Sequence, residues 1–484
     1  MASTKSAAQR GAHARDQTRG QTRGQTNETL SDPNYRRDLG DGLVLRWSTA
    51  ADAERLGLFY SLVFRETAES PLNQHIILWV RDMLSGRHHL IGGDGFALVE
   101  NTQTGEVVAA TCLINQAWDY AGVHIPVGRP EIVGSLPDYR RRGLVREVFR
   151  LIHARSAALG HLAQGITGIP YYYRQFGYEY ALDLGGQRFV AMSDLPSLKA
   201  DESEPYSLRD ATLDDIPQLM RLYDRQRQAV GALVTAVVDE AHWRWTIDAE
   251  HGMDPAAGQN WHSLLVMDNR APDSKPVGAV FTNDVRWDTR VPIWGAAVAP
   301  GVSLVAAAPS ILRGVRAYSE RMLLSKPDLA PANRIELVLG RAHPLYDALE
   351  NVIPMTASEP PYAWYIRVPD LPGFLRLIAP VLERRLADSV MAGHTGALAV
   401  DFYRGGLRLL FEQGKLAQAE DWQKPVWGQP KAGFPPLVFL QLLFGYRSLA
   451  ELRHAYPDVW AEDAAQTLLT ILFPPQPSLV MPLE

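Results

Sequence analysis

The sequence predicts an α/β (α+β) protein built as two related α/β domains followed by a compact α+β module. Three observations predict it: the length, an internal repeat, and a change of pattern in the last quarter. At 484 residues the chain exceeds what one hydrophobic core supports, since single cores stop growing near roughly 250 to 300 residues. A content of 46% hydrophobic and 21% charged residues is that of an ordinary globular protein and leaves ample material for packed cores.

The repeat fixes the first two domains. Leu45, Arg46, Thr49, Asp52, Leu56 and Tyr60 match Leu208, Arg209, Thr212, Asp215, Leu219 and Tyr223 at one constant offset. Each copy reads as a short strand, a Ser/Thr/Asp cap and an amphipathic helix. The parallel continues in Phe96 to Ile114 and Ser263 to Thr282, each two apolar strands around a polar turn. The expected domains are 41–198 and 204–368, separated by the polar stretch Lys199 to Pro205, with a third over 369–484. That third segment opens with VPDLPGFL, continues through a helix rich in Leu and Arg, and offers strands near Gly396 to Phe402 and Leu407 to Phe411. It ends in the apolar runs Leu437 to Phe444 and Leu468 to Phe473, punctuated by proline turns. Residues 1–40, with the tandem QTRGQTRGQT, read as a disordered tail lacking the apolar stretch of a signal peptide.

Composition removes several function classes. A formal charge of -6 speaks against a nucleic-acid binder, whose footprint is basic. No run approaches the roughly 18 to 20 apolar residues of a membrane span. The single cysteine, Cys112, rules out an intrachain disulfide and a cysteine-rich metal site, and suits a reducing cytoplasm. Within the apolar run Val107 to Ile114 it reads as a buried core residue. His88 and His89, after Arg87 in a polar bend, read as exposed, whereas His242, Trp243 and Trp245 read as core or interface packing. There is no Gly-x-Ser-x-Gly, Walker loop, Gly-x-Gly-x-x-Gly or His-Glu-x-x-His.

One segment carries chemistry. From Glu131 the chain reads EIVGSLPDYRRRGLVREVFRLIHARSAALG, parsed as strand, tight loop and helix. Pro137 stops the strand. Val145, Val148, Phe149 and Ile152 then share one helical face, and Gly160 supplies a C-terminal cap. A loop feeding a helix N-terminus presents free amides and the positive dipole end, the setting for a pyrophosphate. Gly143 permits close backbone approach, while Arg140, Arg141 and Arg142 add guanidinium donors.

Arg140-x-x-Gly143-x-Val145 after a strand resembles the coenzyme A motif of the GNAT acetyltransferases, although the family usually has Gly or Ala where Val145 stands. The resemblance implies that Arg140, Arg141, Arg142, Gly143, Leu144, Val145 and Arg146 hold the diphosphate of acetyl-CoA. It also implies that Val133, Gly134 and Ser135 line a splayed strand edge that binds the pantetheine arm and polarises the acyl carbonyl, with Gly168 and Ile169 at the end of the next strand. Further on, Tyr171-Tyr172-Tyr173-Arg174-Gln175-Phe176-Gly177-Tyr178 places a Tyr four residues before a Gly-aromatic pair, as in that family. The correspondence maps the general acid onto Tyr173; a phenol of ordinary pKa about 10 is protonated at neutral pH and able to return a proton to a thiolate. Tyr171 and Tyr172 read as core packing.

The whole layout resembles the enhanced intracellular survival (Eis) family over about residues 41 to 484: two tandem GNAT domains followed by a sterol-carrier-protein-like domain, on the strength of DFYRGGLRLLFEQGKL and the late Leu472-Phe473-Pro474. In the second copy Ala299-Pro300-Gly301 replaces the arginine loop, so that copy is expected to be degenerate. The resemblance further implies a homo-oligomer such as a hexamer, no metal, and a C-terminal carboxylate, here that of Glu484, acting as base. The expected activity is transfer of acetyl to a primary amine of a small molecule, aminoglycoside-like for example, or of a lysine. The alternative is a lipid or hydrophobic-ligand binding protein that uses its third domain, with the GNAT fold as scaffold.

Overall fold

The computed structural model describes residues 26–481 except 249, 259–260, 271–273 and 424–428. It divides into two compact units, one formed by Met1–Ile114 with Pro130–His161, the other by Asn115–Arg129 with Leu162–Glu484.

In the first unit a short helix α1 (Asn27–Ser31) and strand β1 (Arg36–Gly40) lead into β2 (Leu43–Trp47), helices α2 (Ala53–Val63) and α3 (Gln74–Leu84), and strands β3 (Phe96–Asn101), β4 (Val107–Tyr120) and β5 (Val123–Ser135). Helix α4 (Leu144–Ala158) follows. The strands run in the order β1-β2-β3-β4-β5. The expected tail is therefore corrected over its last third: Leu30 and Tyr35 are buried, the Trp47 indole N–H donates to the Leu30 carbonyl at 2.9 Å, and β1 pairs antiparallel with β2. Two apolar anchors and a strand ladder hold a segment whose composition alone reads as solvated; residues 1–25 lie outside the described part. On α4 the residues Val148, Phe149, Leu151 and Ile152 are buried, each worth about 1.5 to 3 kcal/mol of apolar burial at most. Gly160, at φ 75, ends the helix, with its N–H bonded to the Ala157 carbonyl.

β4 and β5 each change unit partway along. In the second unit the far half of β4 pairs with β10 (Val234–Ala236), and β5 pairs parallel with β6 (Ala163–Ile166) at Val127 and Gly128. β6 and β7 (Glu179–Leu184) flank β19 (Tyr362–Arg367), both antiparallel to it. The second repeat comprises β9 (Tyr206–Asp210), helices α5 (Ile216–Val230) and α6 (Glu240–Ile247), β11 (Trp261–Asp268), β12 (Pro276–Asn283), β15 (Gly295–Val298) and helix α7 (Leu304–Ser319). Its sheet has the order β15-β12-β11-β9. A further sheet has the order β14-β17-β8-β18, from β14 (Arg290–Ile293), β17 (Arg334–Leu337), β8 (Gln187–Ala191) and β18 (Ala357–Glu359), while β13 (Val285–Arg286) pairs with β16 (Leu323–Leu324). Helix α8 is Pro344–Leu349.

The last segment holds α9 (Leu371–Leu377), α10 (Ala379–Ala387), a sheet of β20 (Gly396–Asp401), β21 (Gly406–Glu412), β22 (Lys415–Asp421), β23 (Ala432–Gly433) and β24 (Trp460–Ala461), and helices α11 (Phe439–Leu443), α12 (Leu449–Ala455) and α13 (Asp463–Leu472). Its apolar runs are interior, as their pattern demands: Phe439, Leu442, Leu443, Leu468, Leu469 and Phe473 are buried.

The repeat holds atom by atom. The Arg46 guanidinium grips Asp52 with two hydrogen bonds and also donates to the Trp47 carbonyl; Arg209 does the same to Asp215 and the Asp210 carbonyl. The Thr49 and Thr212 amides each donate to those same aspartates. Each aspartate thus locks the strand to the start of the following helix.

Candidate active site

The loop after β5 is shaped by its residues. Pro137 lies in a 3-10 turn, Pro137–Tyr139, and the Leu136 N–H is tied to the Val108 carbonyl at 3.0 Å. Arg141 (φ 62) and Gly143 (φ 82) are both left-handed, a conformation that glycine adopts freely and arginine at a cost. Gly143 is the N-cap of α4 and has no side chain to cap it. The first amides of any helix have no carbonyl partner within it, so Leu144 and Val145 present theirs at the positive dipole end. Arg140, Arg141, Arg142 and Arg146 are exposed, Leu144 is buried and Val145 half-buried. Arg142 stacks over the Tyr139 ring at 5.4 Å and reaches Asp41 at 3.2 Å. An open, arginine-rich loop with an uncapped helix start fits a diphosphate.

Upstream, the strand edge is strained where chemistry is expected. Ile132 has φ 43, an outlier for a β-branched residue. The Thr111 hydroxyl holds the Glu131 carbonyl at 2.9 Å, and the Ile132 N–H turns to the Glu131 carboxylate at 3.1 Å. Val133 and Ser135 are half-buried and Gly134 buried. A Cβ on Gly134 would come within 3.1 Å of Val63 and 3.3 Å of Phe59, so a larger residue there requires those α2 side chains to give way. Sequence patterning gives no sign of the kink at Ile132.

Cys112 is buried as expected, its Sγ 3.7 Å from the Glu131 carbonyl. The reading of His88 is corrected: it is buried, and burial, with His89 beside it, pulls its pKa down to about 3. Its Nδ1 accepts the Leu90 N–H at 3.1 Å and its ring stacks on His89 at 5.4 Å, so the bend folds over a side chain whose local sequence looks polar.

In the second unit Tyr173 lies in a 3-10 turn, Tyr172–Phe176, and is buried. A Cβ on Gly168 (φ 128) would lie 3.4 Å from the Tyr173 hydroxyl, so the phenol rests against the Gly168 main chain. Ile169 is exposed, and its carbonyl accepts the Tyr365 hydroxyl at 3.0 Å. Tyr365 also stacks on Tyr180 at 4.1 Å and meets Tyr173 edge-on at 5.4 Å. The expectation that Tyr171 packs in the core is corrected: it is 69% exposed, because its left-handed backbone (φ 57) turns the chain before the buried Tyr173. Tyr172 is half-buried. His242, Trp243 and Trp245 are all buried.

Near the end of the chain the Leu479 N–H donates to the Val234 carbonyl, the Val480 carbonyl accepts the Trp364 indole N–H at 3.3 Å, and Met481 is buried. Glu484 lies outside the described residues. Among the described residues no helix is long and apolar enough to cross a membrane, and no group of three or more His, Cys, Asp or Glu side chains is arranged to hold a metal ion.

No curated protein matches the sequence. Among solved structures, a GCN5-related N-acetyltransferase from Kribbella flavida is 20% identical with a TM-score of 0.61, covering 91% of this chain and 97% of its own. One from Anabaena variabilis is 14% identical, TM-score 0.58, covering 90% and 98%. Eis1 from Mycobacterium abscessus is 14% identical, TM-score 0.52, covering 90% and 98%. These likenesses extend the shared fold over nine-tenths of the chain. Residues 46–181 match the family model of the acetyltransferase (GNAT) domain, and the chain therefore carries a GNAT acetyltransferase domain that contains both the arginine loop and Tyr173.

Proposed function

We propose that this protein is an acetyl-CoA-dependent N-acetyltransferase acting on a primary amine of a small molecule, aminoglycoside-like for example, or of a lysine side chain. The observation that carries the reading is the uncapped start of α4 at Gly143, preceded by three exposed arginines. Acetyl-CoA, when bound, supplies an acyl group already activated as a thioester. Arg140, Arg141, Arg142 and Arg146 neutralise the diphosphate, and the amides of Gly143, Leu144 and Val145 donate to it. The main chain of Val133, Gly134 and Ser135 orients the pantetheine arm and the acyl carbonyl; Gly168 and Ile169 contribute main-chain groups to the same task.

Tyr173 delivers a proton to the departing thiolate. Its burial and its rest against Gly168 limit its rotamers, which suits a positioned acid. An amine of pKa near 10.4 is neutral in roughly one molecule in a few thousand at pH 7, so a group must take its proton; we assign that to the α-carboxylate of Glu484. We further propose three domains, 41–198, 204–368 and 369–484, the second a degenerate GNAT copy and the third sterol-carrier-protein-like, in a cytoplasmic homo-oligomer of Eis type.

The test titrates the full chain with acetyl-CoA by calorimetry and thermal shift, then follows thiol release with a panel of amines. Saturable heat and amine-dependent thiol release are expected. Absence of both heat and thermal shift would sink the reading, and lipid co-purifying without coenzyme A affinity would favour a hydrophobic-ligand carrier.

A further inference from the structure

Within the second unit, the turn after Tyr171, the start of β7 and the α11–α12 connection line an open cleft of about 370 Å3. That is at the small end of ligand pockets, which span roughly 300 to 1,000 Å3, and suits a molecule of amino-acid size. Four phenol rings face it, those of Tyr171, Tyr180, Tyr446 and Tyr456. Its charged residues are two arginines and two glutamates, Arg174, Arg447, Glu179 and Glu451, so the lining is formally neutral.

The charges are not equivalent. The Glu179 side chain is 3% exposed. One of its oxygens accepts the Tyr180 N–H at 3.0 Å, and the other has Arg174 at 2.8 Å. Burial raises its pKa despite Arg174. A carboxylate accepts about four hydrogen bonds, so Glu179 has capacity for a further donor. Glu451, by contrast, is committed to the α12 cap, where it accepts the Ser448 N–H and hydroxyl. Arg447 lies over the Tyr446 ring at 4.9 Å, pairs with Glu451 at 3.5 Å and bonds the Tyr446 hydroxyl; with five N–H donors it keeps capacity for a carboxylate.

A ligand with one charge would leave this lining unbalanced in a partly desolvated space, whereas one carrying both signs keeps it neutral. Aromatic walls favour a planar ring through offset or edge-on contacts. We propose that the cleft binds a free aromatic amino acid as its zwitterion, with the ammonium on Glu179, the carboxylate on Arg447 and the ring among the tyrosines. The site is independent of the acetyl-transfer reading, because none of its residues belongs to the proposed catalytic or coenzyme set.

The test uses the full-length chain and three probes in calorimetry and saturation-transfer NMR: phenylalanine, 2-phenylethylamine and 3-phenylpropionate. Phenylalanine is expected to bind at least tenfold more tightly than either analogue. Arg447→Gln, at a half-exposed side chain that folding tolerates, should lower phenylalanine to the level of 2-phenylethylamine while leaving that amine unchanged. Glu179→Gln should bring phenylalanine down to 3-phenylpropionate; if it unfolds, Arg447→Gln decides alone. Equal binding of the three probes, no saturable binding of phenylalanine, or an unchanged Arg447→Gln protein would each overturn the proposal. Acetyl-CoA titration of the same samples reads the transfer activity's cofactor separately.

Discussion

At the start of α4 the capping position is Gly143, which offers no side chain; at the start of α7 it is Ser303, whose hydroxyl accepts the Ala306 N–H at 3.2 Å. The first helix leaves its amides open behind three arginines, and the second satisfies one internally behind Ala299-Pro300-Gly301. The repeats otherwise preserve the same Arg-Asp-Thr lock. Both copies share the lock, and of the two only the first has an uncapped helix start behind arginines. A second difference runs with it. Tyr60 and Tyr223 are matched residues, both buried, yet the Tyr223 hydroxyl donates to the Ala236 carbonyl at 2.9 Å, whereas the Tyr60 hydroxyl has no hydrogen-bond partner among the described residues.

Four experiments break or sharpen this contrast. The largest effect is expected for Tyr173→Phe: if the first copy alone performs acid catalysis, turnover should fall by roughly 10² to 10⁴ with acetyl-CoA affinity kept, as measured by thiol release and calorimetry. Next, Gly143→Val should weaken acetyl-CoA binding more than about tenfold, because φ 82 excludes a β-branched residue although a Cβ there meets nothing within 4 Å. Ser303→Ala should leave that binding untouched and cost about 1 kcal/mol of stability; an equal loss of binding in both variants would end the contrast.

A pH experiment comes third. His262 in β11 points Nδ1 at Asp284 (2.6 Å) and Nε2 at Asp210 (2.5 Å). Burial disfavours its charge, but the two carboxylates outweigh that and hold its pKa above the ordinary value. A raised folded pKa means the stabilisation is complete below the unfolded value of about 6.5 and is lost as pH rises through the folded one. Melting temperature should therefore fall on the alkaline side for the natural protein and less so for His262→Asn; identical profiles would refute the linkage. The smallest effect tests the tyrosines. Tyr223→Phe should cost about 0.5 to 1.5 kcal/mol in denaturant titration, and Tyr60→Phe should be neutral or stabilising, since it removes an unsatisfied buried hydroxyl.

Much of this was legible where the cause is local. The Thr-x-x-Asp caps, the strand-loop-helix around Gly143 and the glycine stop at Gly160 follow from neighbours a few residues apart. What escaped depends on partners far along the chain. Residues 27–40 are ordered by Trp47 and β2, and His88 is buried by its surroundings. Ile132 is bent against its own propensity, and Tyr171 is exposed although it belongs to a run of aromatics. The cleft beside Tyr180 joins side chains more than 250 residues apart in sequence, which no periodicity could announce.

The hairpin of β4 and β5 carries a consequence for biosynthesis. Residues 115–129 belong to the second unit: Ala121 bonds Leu233, Trp118 packs edge-on against Trp364, and the Tyr120 hydroxyl donates to the Leu443 carbonyl. A ribosome therefore releases this apolar finger more than 300 residues before its last partner, and the emerging chain must keep it shielded in the interval. Slowing translation past residue 161 should accordingly raise the demand for chaperones more than slowing it near the start.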